Sequence, residues 1–191
     1  MKVIGLTGGI GSGKSTLLRW FLSKGIPCFC SDEVGRELLN SSLQKEVVLR
    51  FGTDIYIDDI LDRKKLSKIV FGDSQALSDL NKIVHPAVNE AFIIFKSENK
   101  NAPFIINESA ILFETGGHKK LDKVILVTSP KKERIKRIII RDGLDEVQVL
   151  ARMKHQLSDT YKIELADFII ENTSLDSLYM QAEHIVEKLK R

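Results

Sequence analysis

The chain has 191 residues, which suggests one domain with room for an inserted lobe. Hydrophobic residues make up 43%, enough for an ordinary core, and the net charge of +3 is too small to argue for a nucleic acid partner. That charge would suit a protein that handles small anions, but ordinary surface charge explains it equally well. No apolar run reaches the ~18 residues that cross a bilayer, and no signal peptide precedes the first strand. We therefore expect a cytoplasmic protein with no membrane partner.

The first predicted elements are a strand, a glycine-rich segment and a helix. The apolar run Lys2–Leu6 has β character and ends in glycines, and the helix that follows stops near Gly25. One face of that helix carries large apolar side chains, at Leu17, Leu18, Phe21 and Leu22. The glycine-rich segment therefore lies between a strand and a helix.

A second short strand is predicted over Pro27–Cys30, and the helix after it has Ser31 or Asp32 as a suitable N-cap. Cys28 and Cys30 share one face of this strand, where a disulfide between them would fit poorly. No other cysteine or histidine cluster in the sequence offers a zinc site. We therefore expect two buried thiols in a reducing cytosol.

Residues 43–99 show no convincing strand alternation and are predicted to form several helices. One covers KKLSKIVF, and a long one covers Leu77–Glu98. Pro86 should start or kink a helix, because proline lacks an N–H and disfavours helical geometry before it. We interpret this stretch as a helical insertion between strands.

The rest of the chain alternates strands and helices. Strands are predicted over Pro103–Ser109, Lys123–Ser129 and DFIIEN, and helices over the segment that starts at Pro130, over Leu144–Leu157 and over Ser174–Lys190. The strand runs are nearly all apolar, as in strands that are covered on both faces. The predicted fold class is α/β, with a five-stranded parallel sheet flanked by helices.

The segment Gly8–Ser15 fits the phosphate-loop pattern G-x-x-x-x-G-K-[ST]. Its glycines let backbone N–H groups approach phosphate oxygens, and the next helix adds the positive end of its dipole. In this pattern Lys14 reaches the β- and γ-phosphates, and the Ser15 hydroxyl binds Mg²⁺. We expect this segment to bind the phosphates of a nucleotide through Gly9, Gly11, Ser12, Gly13, Lys14, Ser15 and Thr16.

Later segments argue against two classes of nucleotide-binding protein. GTPases carry an N-K-x-D motif, and Ras-like and motor proteins carry an Asp-x-x-Gly switch, but neither motif is evident. Arg134, Arg137 and Arg141 recur at helical spacing. This spacing fits either a solvated basic helix face or a lid whose arginines neutralise the triphosphate.

Asp32 follows the second strand at its carboxyl end, where open parallel sheets bind ligands. Its carboxylate could accept or orient an attacking hydroxyl, or hold Mg²⁺ through water. A helix cap is an equally good interpretation, and one residue can serve both purposes.

The whole chain resembles the dephospho-CoA kinase family, through motifs that occur in one order from end to end. IGLTGGIGSGKS resembles the family's opening, and GIPCFCSDEVGREL its second strand and next helix, with Asp32 and Arg36 in the expected places. LDRKKLSKIVF and LNKIVHPAV match a helical segment that ends in the pair His85-Pro86. Four later stretches match the family in the same order. The substrate-side motif is matched by AILFE, the lid by RIKRIIIRDG, the helix returning from the lid by RMKHQ and the final strand by ADFIIEN.

The resemblance implies a fold, a domain organisation and a reaction. The fold would be that of the P-loop NTPases, as a single kinase domain over 1–191 with its core at about 1–40, 100–130 and 160–191, a helical acceptor-binding insertion at about 41–99 and a lid at about 131–159. The reaction would transfer the γ-phosphate of ATP to the ribose 3′-hydroxyl of dephospho-CoA with Mg²⁺ present, giving CoA and ADP. This is the last step of coenzyme A biosynthesis.

The resemblance also implies roles for single residues. Asp32 would orient or deprotonate the hydroxyl, Lys14 would follow the moving phosphoryl group, Ser15 would hold Mg²⁺, and Arg141 would close from the lid with support from Arg137. Acceptor contacts are expected at Asp32, Arg36, His85, Ile111, Leu112 and Glu114. A structural hydrogen bond remains the alternative for His85, and a buried strand end the alternative for the apolar residues.

The chain departs from the family pattern at four positions. The family usually has aspartate at Cys30, glycine at Asp59 and proline at Ala110, and often a basic residue at Asp159. The glycine difference predicts a turn of altered geometry at Asp59.

Two rival functions are compatible with a phosphate loop. One is a kinase of another small acceptor, such as a nucleoside monophosphate, against which His85-Pro86 and AILFE favour dephospho-CoA. The other is a nucleotide-binding regulatory or nucleic-acid-associated protein that no longer catalyses. Four intact residues disfavour it: Lys14, Ser15, Asp32 and Arg141. We expect ATP and dephospho-CoA as the partners, no nucleic acid, and a monomer or weak homo-oligomer.

Overall fold

A computed structural model describes residues 1–190 and divides the chain into two compact units. The first unit consists of Met1–Cys30 and the chain from Asn99 onward, and the second is Ser31–Glu98. Within the described residues, no helix is both long and apolar enough to cross a membrane.

The helices and strands have the following bounds. The strands are β1 Lys2–Gly8, β2 Cys28–Cys30, β3 Tyr56–Ile57, β4 Ile60–Leu61, β5 Phe104–Glu108, β6 Lys123–Thr128 and β7 Phe168–Glu171. The α-helices are α1 Lys14–Ser23, α2 Ser31–Leu39, α3 Gln44–Phe51, α4 Arg63–Gly72, α5 Ser74–Glu98, α6 Lys131–Asp142, α7 Glu146–Lys154, α8 Asp159–Leu165 and α9 Leu175–Lys190. Short 3₁₀ turns cover Thr53–Ile55 and Gly117–Lys120.

The first unit is built on a five-stranded sheet in the order β2-β5-β1-β6-β7. Every neighbouring pair in it is parallel, with Leu6 of β1 opposite Glu108 of β5 on one side and Ile125 of β6 on the other. The predicted five-stranded parallel sheet is therefore confirmed. Because the strands are parallel, their carboxyl ends meet at one edge, and the segment after β1 leaves the sheet at that edge.

The main core of the first unit packs α1 and α9 against the sheet. Phe21 of α1 and Leu178 of α9 are fully buried, and burying one such side chain contributes roughly 1.5–3 kcal/mol. Leu22, which was predicted to share the apolar face of α1, is instead 51% exposed. Leu17, Leu18 and Phe21 fill the buried stripe, and Leu22 lies 100° further round the helix than Phe21.

The second unit contains α2 to α5 around its own apolar cluster, whose buried members are Leu43, Val47, Ile55, Leu61, Leu66, Val70 and Ala76. Pro86 lies inside α5, which runs unbroken for 25 residues, so it does not start a helix as one of the two predictions had it. Proline in a helix interior removes one hydrogen bond, and the remaining turns of so long a helix support it.

A small antiparallel hairpin, β3 paired with β4, occupies a stretch that was predicted to contain no strand. Its two-residue turn, Asp58-Asp59, has φ values of 50° and 61°, both in the left-handed region. Two-residue strands are too short to show alternation, and Asp-Asp is not the Asn-Gly or Asp-Gly sequence that signals such a turn. Asp59 therefore adopts the left-handed backbone that glycine adopts most easily.

Three boundaries also differ from the predictions. Ser31 and Asp32 both lie inside α2 rather than at its N-cap, and Pro130 is the N-cap of α6 rather than its first residue. The helix predicted over Leu144–Leu157 is shorter, and α8 follows it after Ser158, whose hydroxyl accepts the Tyr161 N–H at 3.2 Å. A seven-residue helix gives too few turns for a clear apolar period.

The two cysteines carry thiols rather than a disulfide, as predicted, but both are half-buried rather than buried. The Cys28 thiol lies 3.3 Å from the Ile26 carbonyl oxygen, and burial raises its pKa to about 12. The Cys30 thiol donates to Oε2 of Glu108 at 3.0 Å.

Candidate active site

The phosphate-loop segment joins the end of β1 at Gly8 to the start of α1 at Lys14. Gly11 and Gly13 have φ values of 79° and 105°, where only glycine is unstrained. The first N–H groups of a helix have no partner within the helix, and they carry the positive end of its dipole. The loop therefore has the backbone form of an anion site at the start of a helix.

The polar side chains of the loop are placed differently from one another. Lys14 crosses the loop and donates from Nζ to the Gly8 carbonyl at 2.8 Å. Ser15 is exposed in the first turn of α1, and Thr16 is half-buried. Ser12 is fully buried, and its Oγ has no hydrogen bond within the described residues. The Ser12 side chain thus faces inward, while Ser15 is open to a ligand.

Asn172, just after β7, holds the loop from outside. Its Nδ2 donates to the Ser12 carbonyl at 2.7 Å, and only 5% of the residue is exposed. A Cβ at Gly13 would lie 2.1 Å from that nitrogen, so Gly13 is required for this contact as well as for its φ. Sequence reasoning placed Asn172 in a motif but gave it no role. Its position directly after a buried strand was the available signal.

The arginines of α6 fall into two groups. Arg134 is 7% exposed and binds the Ile10 carbonyl and Asp159, so it does not fit the lid hypothesis. Arg137 is half-buried, and its Nη1 donates to the Gly11 carbonyl at 3.3 Å. The structure thus places Arg134 and Arg137 against the outer backbone of the loop.

Arg141, in the last turn of α6, has a side chain that is 59% exposed. Its Nε and Nη2 donate to the two carboxylate oxygens of Asp142 at 2.7 and 3.0 Å. This contact raises the pKa of Arg141 and lowers the pKa of Asp142. Arg152 of α7 also approaches Asp142, at 3.3 Å. Arg141 therefore remains a charged group that is accessible to a ligand.

The AILFE motif forms a turn after β5. Ile111 is 42% exposed, whereas Leu112 and Phe113 are 4% and 5% exposed and pack with Val124 and Leu126. Ile111 is thus the apolar side chain of this turn that a ligand can contact. Leu112 stabilises the turn by packing into the apolar cluster beneath it.

Glu114 ends the same turn in a contact with a fully buried cation. Its Oε1 lies 2.8 Å from Nζ of Lys162 and accepts the Leu157 N–H at 3.0 Å. Burial acts to raise the pKa of Glu114, but the contact with Lys162 and the N–H bonds outweigh it and lower the pKa. Oε2 of Glu114 is buried without a hydrogen-bond partner among the described residues.

Glu108 is a buried acidic residue at the carboxyl edge of the sheet to which the sequence analysis gave no role. It ends β5 next to the central strand, and 5% of it is exposed. The signal in FIINE was an acidic residue at the end of a strand that begins with three apolar residues. No group of three or more His, Cys, Asp or Glu side chains within residues 1–190 could hold a metal.

The other predicted acceptor residues belong to the second unit. Asp32 is exposed in the first turn of α2, and the exposed Arg36 donates from Nε to the Asp32 carbonyl at 2.8 Å. His85 is exposed on α5. It lines a shallow groove along one face of that helix with Ser74, Leu77, Ser78, Asn81, Lys82 and Pro86.

Known proteins resemble the chain over almost its whole length. The family model described as dephospho-CoA kinase matches residues 2–177. The chain belongs to the dephospho-CoA kinase family. A dephospho-CoA kinase of Fusobacterium nucleatum is 37% identical over 192 residues, covering 99% of each chain.

Two solved structures in this range of similarity support the same grouping. The Thermus thermophilus protein TT1252 superposes with a TM-score of 0.91 at 32% identity, covering 98% of this chain and 96% of that one. The dephospho-CoA kinase from Campylobacter jejuni gives 0.68 at 25% identity, covering 98% and 97%. The predicted family is therefore confirmed.

Three departures from the usual dephospho-CoA kinase pattern take part in contacts of the first unit. Cys30 contacts Glu108, and the Ala110 carbonyl accepts Nε2 of Gln156 at 3.4 Å. Asp159 pairs with Arg134. The contacts at Cys30 and Asp159 are made by their side chains, whereas the contact at Ala110 is made by its backbone.

Proposed function

We propose that the chain transfers the γ-phosphoryl group of ATP to the ribose 3′-hydroxyl of dephospho-CoA, giving CoA and ADP. The observation that carries this proposal is a complete phosphate loop within a chain that belongs to the dephospho-CoA kinase family over residues 2–177. The relatives named above bear that activity in their names.

The donor half of the reaction relies on position and charge. Backbone N–H groups of Gly9, Gly11 and Gly13 receive the phosphates, and Lys14 moves from the Gly8 carbonyl to the phosphoryl oxygens. Arg141 adds its guanidinium from α6, with Arg137 behind it. Phosphoryl transfer needs little covalent help from a protein, so preset cations and donors supply most of the rate enhancement.

The acceptor half relies on Asp32. It follows the last residue of β2 by two positions, and β2 lies in the sheet whose carboxyl edge carries the phosphate loop. An exposed carboxylate can accept the proton of the 3′-hydroxyl and hold its oxygen in line with the phosphorus. Arg36, His85, Ile111 and Glu114 are the proposed contacts to the rest of dephospho-CoA, with Leu112 as their packing support.

Mg²⁺ fits the donor set of the first unit. Ser15 offers an exposed hydroxyl in the first turn of α1, and Glu108 offers a buried carboxylate on the strand next to β1. These oxygens, with nucleotide phosphates, are the ligand type that Mg²⁺ prefers. When bound, Mg²⁺ neutralises charge that develops on the phosphate oxygens.

We further propose that the enzyme works in the cytoplasm as a monomer or weak homo-oligomer, on small molecules rather than nucleic acid. Cys28 and Cys30 carry thiols, which suits a reducing compartment.

The direct test is Mg²⁺-dependent ADP formation with four acceptor conditions: dephospho-CoA, adenosine, AMP and none. We expect rapid ADP formation with dephospho-CoA only. Equal rates with and without dephospho-CoA would mean that the protein is not this kinase, and a preference for AMP would identify a nucleotide kinase.

A further inference from the structure

The peptide units around Ile10, in the middle of the phosphate loop, are held from both sides by distant residues. The Ile10 N–H donates to Oε1 of Gln156 at 2.8 Å, and the Ile10 carbonyl accepts Nε of Arg134 at 2.9 Å. Neither partner belongs to the phosphate-loop pattern. The loop conformation therefore depends on α6 and on the segment after α7.

Arg134 lies flat against the loop where glycine leaves room for it. A Cβ at Gly9 would lie 2.0 Å from Nη2 of Arg134, and a Cβ at Gly11 would lie 2.8 Å from the Arg134 carbonyl. Arg134 is 7% exposed, so its guanidinium has left bulk water. Two glycines of the loop thus accommodate this arginine, in addition to any ligand.

Asp159 compensates the charge of Arg134. Its Oδ2 accepts Nη1 of Arg134 at 2.5 Å, while Nε of the same guanidinium binds Ile10. A planar guanidinium can hold two acceptors in a fixed fork, whereas a buried arginine without a counter-ion is strongly unfavourable. Asp159 begins α8, three residues after Gln156, so one short segment supplies both the Gln156 contact to Ile10 and the counter-ion of Arg134.

We propose that Arg134 and Asp159 are positioning residues, which hold Gly9–Ile10 in the conformation that binds the phosphates of ATP. They act through the loop backbone and do not contact the reacting atoms. This proposal rests on the nucleotide-binding role in the proposed function and adds residues outside the loop to it.

The chain offers a control in Asp167, a carboxylate of similar exposure that also pairs with a cation. Its side chain is 33% exposed and pairs with Lys123 at 2.7 Å, compared with 36% and 2.5 Å for Asp159. Asp167 also accepts the Val124 N–H at 2.9 Å. It lies at the amino ends of β6 and β7, at the opposite edge of the sheet from the phosphate loop.

The test compares Asp159→Ala with Asp167→Ala by calorimetric titration of the full-length protein with MgATP and, separately, with dephospho-CoA. Melting temperatures measure the general loss of stability. We expect Asp159→Ala to weaken MgATP binding about tenfold, as misplaced binding groups do, and to leave dephospho-CoA binding within about twofold. Asp167→Ala removes a pair with Lys123, whose side chain is 50% exposed, so it should lower the melting temperature less and leave MgATP binding unchanged.

A second variant, Arg134→Lys, tests the same proposal if Asp159→Ala does not fold. It keeps the positive charge but loses the fork, so MgATP binding should again weaken. If electrostatics alone mattered, Asp159→Ala would tighten MgATP binding, because it removes a negative charge near the loop. Unchanged or tighter binding in Asp159→Ala, or an equal loss in Asp167→Ala, overturns the proposal. Wild-type protein that binds MgATP without phosphorylating dephospho-CoA would refute the proposed function alone, and the binding ratios would still decide this inference.

Discussion

The phosphate loop and the predicted acceptor residues are held in different ways. The loop carbonyls of Gly8, Ile10, Gly11 and Ser12 each accept a hydrogen bond from a side chain, two of them from residues that are almost fully buried. Asp32, Arg36 and His85 are exposed side chains on helices. A loop that binds an anion through its backbone needs its shape fixed in advance, whereas a carboxylate that meets a substrate hydroxyl needs access.

This difference predicts that variants of exposed residues change the chemistry, and that variants of buried contacts change folding or affinity.

Asp32→Asn should reduce kcat by about 10²-fold or more and leave MgATP affinity unchanged, because the amide cannot accept the hydroxyl proton. Steady-state kinetics with dephospho-CoA measures the change, and Glu33→Gln in the same helical turn is the matched control. Unchanged kcat in Asp32→Asn would mean that Asp32 has no role in the reaction and only stabilises the N-terminus of α2 through its negative charge.

Arg141→Ala should lower kcat about 10²-fold with a smaller effect on the KM for ATP, since it removes positive charge from the transferring phosphoryl group. Arg152→Ala is the control, because Arg152 contacts the same Asp142 carboxylate. If both variants lose activity equally, then the arrangement around Asp142 matters and Arg141 has no separate role.

Glu114→Gln should destabilise the fold by about 2 kcal/mol at pH 7, because it leaves Lys162 buried without a counter-ion; the remaining 16% exposure of Glu114 keeps this below a fully buried pair. The folded-state pKa of Glu114 is lowered, so the stability from its ionised form is complete at neutral pH and disappears as pH falls through that pKa. Urea unfolding should show a gap between wild type and variant at pH 7 that shrinks below about pH 4. A gap independent of pH would contradict the ion-pair explanation.

Asp59→Gly should have the smallest effect, changing the free energy of unfolding by less than about 1 kcal/mol and kcat not at all. Glycine relieves the left-handed strain at φ 61°, but it also gives the unfolded chain more freedom. Gln44→Ala, which removes the 3.3 Å contact to Asp59, separates that contact from the backbone effect. A loss of several kcal/mol in Asp59→Gly would show that the aspartate side chain is essential to the hairpin.

The same comparison explains how much could be predicted from the sequence. The phosphate loop was predictable because its function imposes glycine, lysine and serine at fixed spacing, and the sheet was predictable because its strands are continuous apolar runs. The side chains that hold the loop backbone were not predictable. Arg134, Gln156 and Asn172 are 124 to 160 positions away in the sequence from the carbonyl or N–H groups that they contact. Arg134, Arg137 and Arg141 follow one another at spacings of three and four residues, so the same lid role was predicted for Arg134 and Arg141. In the structure Arg134 is buried and Arg141 is exposed.

Short elements were also outside the reach of the sequence. The β3–β4 hairpin and α8 each offer too few residues for a period to be recognised. The roles of Asp32, Arg36 and His85 rest on their match to family motifs, and they stay predictions until the variants above are measured.

The most direct test of the proposed kinase reaction follows the transferred phosphate. The protein is incubated with Mg²⁺, dephospho-CoA and ATP labelled at the γ-phosphate, and the products are separated by chromatography. We predict that the label appears in CoA and is released by an enzyme specific for 3′-phosphates. Label found only in inorganic phosphate, or at a position other than the ribose 3′-oxygen, would contradict the proposed function.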